Sequence, residues 1–112
     1  MLRVLSDEGW GRPWGLAPSS DGGALFASDE RAGAVRRVDP QGNVVDVATG
    51  LRSPQGIALA GERLFVCEIA RGRVCAVDLA TGAVETAWEK VIMPSGIDAT
   101  PNELYVASAG SH

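Results

Sequence analysis

Pro54-Gln55-Gly56-Ile57-Ala58-Leu59-Ala60-Gly61-Glu62-Arg63-Leu64-Phe65-Val66-Cys67-Glu68 contains two short apolar runs joined by a Gly61-Glu62 turn. Its first five residues echo Pro13-Trp14-Gly15-Leu16-Ala17 and Pro94-Ser95-Gly96-Ile97-Asp98, with the prolines 41 and then 40 residues apart. Its last five echo Leu25-Phe26-Ala27-Ser28-Asp29 and Leu104-Tyr105-Val106-Ala107-Ser108. A third landmark, Val35-Arg36-Arg37-Val38-Asp39, returns once as Val74-Cys75-Ala76-Val77-Asp78. Several landmarks in one order at one period mark a repeat protein, whose units bury their apolar faces only against neighbours.

Within residues 54–93 the spacing predicts four strands. Proline suits the first residue of a strand, where no ladder donor is needed. After Arg63–Glu68 the chain turns at Ala70-Arg71-Gly72, runs through Arg73–Asp78, turns at Leu79-Ala80-Thr81-Gly82 and closes with Ala83–Trp88. In the preceding unit, Ser20-Asp21-Gly22-Gly23 separates the first two strands. Asp39-Pro40-Gln41-Gly42, separating the last two, has the proline and glycine placement of a type I turn. No window carries a helical apolar period, and turn residues interrupt about every eight to twelve positions.

The second and third strands are apolar on both faces, whereas a sheet with one wet face alternates. The fourth strands, Val44-Val45-Asp46-Val47 and Val84-Glu85-Thr86-Ala87, are more polar, as outer edges are. Stacked four-stranded antiparallel sheets with a polar edge outward describe an all-β partial β-propeller. The pattern Pro-x-Gly-Ile/Leu-Ala, Leu-Phe/Tyr-Val and Arg-Val-x-x-Val-Asp resembles NHL and YVTN propeller repeats over residues 13–108. It is also similar to the blades of regucalcin/gluconolactonase-like hydrolases and streptogramin lyases. About two and a half blades are expected: 13–53, 54–93 and an incomplete 94–112, preceded by a stray outer strand and linker over 1–12, with Leu2–Leu5 as the strand. Complete rings have about four to eight blades. Two bare faces would then favour self-association, and the chain is expected to be a fragment of a larger propeller or a protomer that completes a ring.

The 112 residues carry a net charge of −4 and are 46% hydrophobic. An acidic chain with scattered Lys and Arg speaks against a nucleic-acid surface, and no apolar run reaches membrane-spanning length. Met1–Glu8 lacks the apolar core of a secretory signal, which predicts a cytoplasmic protein if Met1 is the true start. In that setting Cys67 and Cys75, symmetric about Arg71, would face each other across a hairpin as buried thiols, a cross-strand disulfide being geometrically demanding.

Alternate turns of a meander fall at one end. That end collects Trp14, Gln55 and Ser95 near the axis, with Asp29, Glu30 and Arg31, then Glu68 and Arg71, and finally Ser108 with His112. Trp14, Gln55, Ser95, Asp29, Glu68 and Arg71 are the candidate ligand-binding residues, for a protein or small-molecule ligand. The gluconolactonase resemblance implies a divalent metal held by Asn or Asp at the middle of Pro-x-Gly. Trp14, Gln55 and Ser95 stand there instead, so neither a metal nor catalytic residues are assigned; calcium enters only if the lactonase alternative holds. Asp29 and Glu68 sit where these families carry an acidic residue, which caps the neighbouring turn in the simpler reading.

His112, the only histidine, is terminal, so no Ser/His/Asp set or positioned histidine base can be assembled. Gly9-Trp10-Gly11-Arg12-Pro13-Trp14 is not a dinucleotide loop, because Trp14 replaces the third glycine and no helix follows. Trp10, Trp14 and Trp88 are large enough to stack on a ligand, with inter-blade packing the expectation for Trp88. Two function classes follow: a non-catalytic binding scaffold, and a piece of a hydrolase or lyase ring whose other groups lie outside these residues.

Overall fold

The computed structural model describes residues 9–100 and 102–108; the side chains of Ser95 and Ser108 are not part of that description. Ten strands form three antiparallel sheets, and each sheet joins only strands consecutive in the chain. The first holds β1 (Pro13–Pro18), β2 (Leu25–Asp29), β3 (Ala34–Val38) and β4 (Val44–Ala48). The second holds β5 (Pro54–Ala60), β6 (Arg63–Glu68), β7 (Arg73–Asp78) and β8 (Val84–Trp88). β9 (Pro94–Ala99) and β10 (Leu104–Ser108) make the third. Among the described residues the one helical element is a single 3-10 turn, Ile69–Arg71, closed by Gly72 at φ +64°. No helix there is long and apolar enough to cross a membrane. The expected strand at Leu2–Leu5 and the terminal His112 lie outside the described residues.

The sheets stack by their faces, with the first strands β1, β5 and β9 side by side. This is the inner edge of a propeller, and β4 and β8 are the outer edges. One core, containing Phe26, Val35, Leu51, Ile57, Leu64, Val66, Cys75 and Val77, fills the space between the first two sheets. A second sets Phe65, Cys67, Val74 and Ala76 against Ile97, Leu104 and Val106 of the third. Alternate residues of β6 and β7 therefore serve different interfaces. That explains apolar side chains on both faces, and why β6 is buried from Leu64 to Glu68 while every residue of β8 is exposed.

One sequence expectation changes, and the bare faces can be assigned. Glu68 lies opposite Arg73, Cys67 opposite Val74, and Val66 opposite Cys75. The hairpin is centred between Ala70 and Arg71 rather than on Arg71, and a one-residue offset sends the cysteines to opposite faces. They do not face each other, and both are free and buried. Leu104 packs inward onto the middle sheet, so it does not represent a bare face. The uncovered face of the third sheet carries Gly96, Asp98, Tyr105 and Ala107, and is mostly small or polar. On the first sheet, the face away from the second carries Leu16, Leu25 and Val44 in register with buried Ala27 and Val38, and Arg36 and Asp46 continue the Leu16 row. Leu16 is 58% and Val44 47% exposed, so this is the more apolar of the two faces.

The backbone repeats as regularly as the side chains. Left-handed conformations recur at Gly22 and Gly61, Gly33 and Gly72, Gly42 and Gly82, and at Gly9, Gly50 and Lys90. Ser53 and Met93, each directly before a blade-opening proline, share φ near +50° (51° and 48°). The turn at Gly33 accepts the Leu51 N–H at 2.9 Å, and that at Gly72 accepts the Val91 N–H at 2.9 Å. Each blade thus clips its own outgoing linker. A Cβ on Gly33 would lie 2.5 Å from the Leu51 carbonyl oxygen, so only glycine permits the approach.

Candidate functional site

The middle residue of each Pro-x-Gly falls at a register shift. Pro13 opposes Asp29 and Leu16 opposes Ala27, leaving Trp14 and Gly15 together against Ser28. In the second blade Gln55 and Gly56 stand against Cys67, and in the third Ser95 is the extra residue between Pro94 and Gly96. A bulge bends its strand and re-aims the inserted side chain. Trp14, Gln55 and Ser95 therefore occupy equivalent bulged positions at the inner edge, with Trp14 56% exposed and Gln55 half-buried. The first two blades meet closely here: Ser28 Oγ accepts the Gly15 N–H at 2.8 Å and donates to the Gln55 carbonyl at 2.6 Å. A Cβ on Gly15 would sit 2.5 Å from that same carbonyl oxygen.

Gln55 also reaches back to the first blade, where its Nε2 donates to Glu30 Oε2. Arg12 Nη1 donates to the other oxygen at 3.0 Å. The Gln55 bond, aided by Arg12 and opposed by burial, holds the Glu30 carboxyl below its ordinary 4.5. Glu30 thus joins Gln55 and Arg12 in one polar cluster beside Trp14 in the chain. The sequence placed Glu30 at this end but gave no sign of its partners, which lie 18 and 25 residues away.

Asp29 and Glu68 are fully buried, and each ties the linker leading into a blade. Asp29 accepts N–H bonds from Gly11 (2.7 Å), Arg12 (2.8 Å) and Ala32 (3.1 Å), and pairs with Arg36 at 2.9 Å. Burial pushes its pKa up, but the backbone donors and Arg36 outweigh it and hold the carboxyl below the ordinary 3.8. Glu68 accepts the Arg52 N–H at 2.9 Å, hydrogen-bonds Arg73 and lies 3.3 Å from Arg71, which is exposed. The tie is conserved between blades while its cation changes place: Arg36 stands at the register position of Cys75, and Arg73 at that of Ala34.

Cys75 shares the interior with Glu68. Burial, with the nearby carboxylate adding to it, pushes its thiol up to about 12, and burial takes Cys67 to about 11. Neither is a nucleophile near neutral pH. Trp10 lies under the Arg36 guanidinium at 4.9 Å, so it is part of the Asp29 tie. Trp88, expected in inter-blade packing, is 52% exposed at the outer edge. Among the described residues no three His, Cys, Asp or Glu gather in a way that could hold a metal ion.

No protein-family model matches the chain, and no curated protein matches it. Solved structures do. The chain is similar to a component of a nidogen/laminin complex, with TM-score 0.81 and 21% identity over 88% of this chain and 40% of that one. Hydrazine synthase of Kuenenia stuttgartiensis gives TM-score 0.78 and 28% identity, over 97% and 32%. A catalytically inactive virginiamycin B lyase from Staphylococcus aureus, solved with quinupristin, gives 0.75 and 17%, over 86% and 34%. These neighbours support a β-propeller repeat family. The chain spans 32–40% of the length of these three structures.

Proposed function

We propose that the chain is a β-propeller segment serving as a non-catalytic binding scaffold, with NHL/YVTN-type blades whose ring is completed by packing against further blades. The observation that carries this reading is the use made of the two repeat carboxylates. Asp29 and Glu68 are consumed as buried ties for the linkers, and neither is left to ligate a metal or move a proton. Trp14, Gln55 and Ser95 then form the ligand-facing set at the inner edge, supported by Glu30 and Arg12. An exposed indole on the same inner edge as a Gln55–Glu30–Arg12 cluster suits a protein or small polar ligand.

The second part of the proposal is self-association. The apolar face of the first sheet and the flatter, more polar face of the third are different surfaces, so contact between copies is head-to-tail and closes a ring if the rotation permits. Sedimentation velocity across a hundredfold concentration range should show mass rising with concentration, and a lactonase assay should give background rates with calcium or with chelator. A monomer at every concentration would remove the assembly proposal. Calcium-dependent turnover lost in Glu68→Gln would replace the scaffold with the hydrolase alternative.

A further inference from the structure

A groove of about 730 Å³ opens on the second blade, lined by none of the bulged residues Trp14, Gln55 and Ser95. Its wall runs from the 3-10 turn after β6 to the linker that leaves β8, all of it between Ile69 and Met93. It is therefore built by one blade and does not depend on the scaffold reading. Its size is that of a small-molecule site.

Its charge is opposite to that of the chain. Arg71, Arg73 and Lys90 line it, against Glu89 in the wall and Glu68 buried behind the two arginines. Three cations against two carboxylates leave one positive charge, in a chain whose net charge is −4. Moreover, the cations are not equally occupied. Arg73 is spent on Glu68 and on Thr86 Oγ1, at 2.6 Å from the latter. Arg71 makes only an ion pair at 3.3 Å, and its guanidinium donates no hydrogen bond among the described residues. Lys90 makes no ion pair among the described residues. The linker that carries Lys90 also supplies Ile92 and Met93, each 54% exposed, as an apolar side wall.

Lys90 occupies a left-handed position, φ +57°, where the equivalent residues are Gly9 and Gly50. A side chain at this point costs backbone energy that glycine avoids. The structure accepts that cost at the one repeat where the residue adds a cation to the groove.

We propose that this groove binds a small organic oxyanion, a phosphate ester or carboxylate, with its head group on Arg71 and Lys90 and its apolar body against Ile92 and Met93. Arginine presents paired donors to either head group, and a guanidinium that donates no hydrogen bond of its own gains most from such a partner. The test is a titration of amide NMR shifts with phenyl phosphate, 3-phenylpropionate, inorganic phosphate and benzyl alcohol. Saturable shifts at Gly72 and Lys90–Met93 are expected with one or both aromatic anions, and the stronger of the two identifies the head group. Inorganic phosphate should bind about tenfold more weakly, and benzyl alcohol should give no shift. Arg71→Gln and Lys90→Gly should each weaken the preferred anion by about tenfold, the scale of one charge-assisted hydrogen bond. Arg63→Gln, a cation outside the groove wall, should leave it unchanged. Lys90→Gly relieves the backbone, so it should bind more weakly while melting higher, a pairing that damage to the fold does not produce. Shifts spread over the whole surface, equal weakening by Arg63→Gln, or no saturation with either aromatic anion would overturn the proposal.

Discussion

Replacing Asp29 by asparagine keeps the shape of the side chain and removes its charge, so the effect isolates the buried tie. Oδ1 accepts from Arg12 and Ala32, and an amide oxygen there would keep both bonds. Oδ2 accepts from the Gly11 N–H at 2.7 Å and Arg36 at 2.9 Å, and an NH2 group would turn donors toward both. Two bonds to a charged acceptor are lost, while Arg36 keeps Asp46 and the Gly9 carbonyl as partners. At ~1.5–3 kcal/mol per charged hydrogen bond, the expected destabilisation is about 3–6 kcal/mol. That is a large share of a domain stability of ~5–15 kcal/mol. Urea melts followed by tryptophan fluorescence, at one fixed protein concentration, measure it directly.

The pH dependence gives a second check. The Asp29 carboxyl is held below its ordinary 3.8, so its contribution is fully present above about pH 4 and drains away as pH falls through the depressed value. The variant has no such term, and the gap between the two proteins should narrow in acid. A loss below about 1 kcal/mol at pH 7, or a gap that stays constant down to pH 2, would refute the role of Asp29 as the tie between linker and blade.

Gly33→Ala should cost about 2–4 kcal/mol, since it combines a φ of +66° with a Cβ 2.5 Å from the Leu51 carbonyl, read as a lower melting temperature. Cys67 and Cys75 should resist a thiol reagent until the chain unfolds, and intact mass should be the same with and without reductant, because burial raises both thiols and the register separates them. Leu16→Lys should weaken self-association with little loss of stability, as its side chain is 58% exposed on the outward side of the first sheet. Leu104→Lys should instead destabilise the packing of the third sheet, by about 2–4 kcal/mol in a melt, because Leu104 is packed inward.

The strands, their order and the stacking of sheets were legible because each unit repeats its own apolar and turn pattern. The inner-edge set Trp14, Gln55 and Ser95 was legible as a repeated position, though not as a bulge, since Pro-x-Gly does not announce where the register slips. What was hidden lies between units. Gln55 meets Glu30 across a blade boundary, and nothing local to either residue predicts the pairing. The cysteine register was missed by one residue, because the 3-10 turn ends at Gly72 and shifts the hairpin centre by half a residue. Left-handed Ser53, Lys90 and Met93 carry no glycine to mark them, and only their alignment with neighbouring repeats gives them meaning.

Every sheet pairs strands that are consecutive in the chain, and this has a consequence for how the molecule forms and fails. Among the described residues no strand has to wait for a distant partner, so each meander closes short loops and contact order there stays low for a β protein. Stability should then divide into a term for each sheet and a term for each interface between neighbours, as in a one-dimensional array. The middle sheet, held on both sides, should exchange its amide hydrogens last, and β9 and β10, held on one, should exchange first. Damage to the outermost sheet would accordingly spread inward by one interface at a time, leaving partly melted chains rather than an abrupt loss of the whole fold.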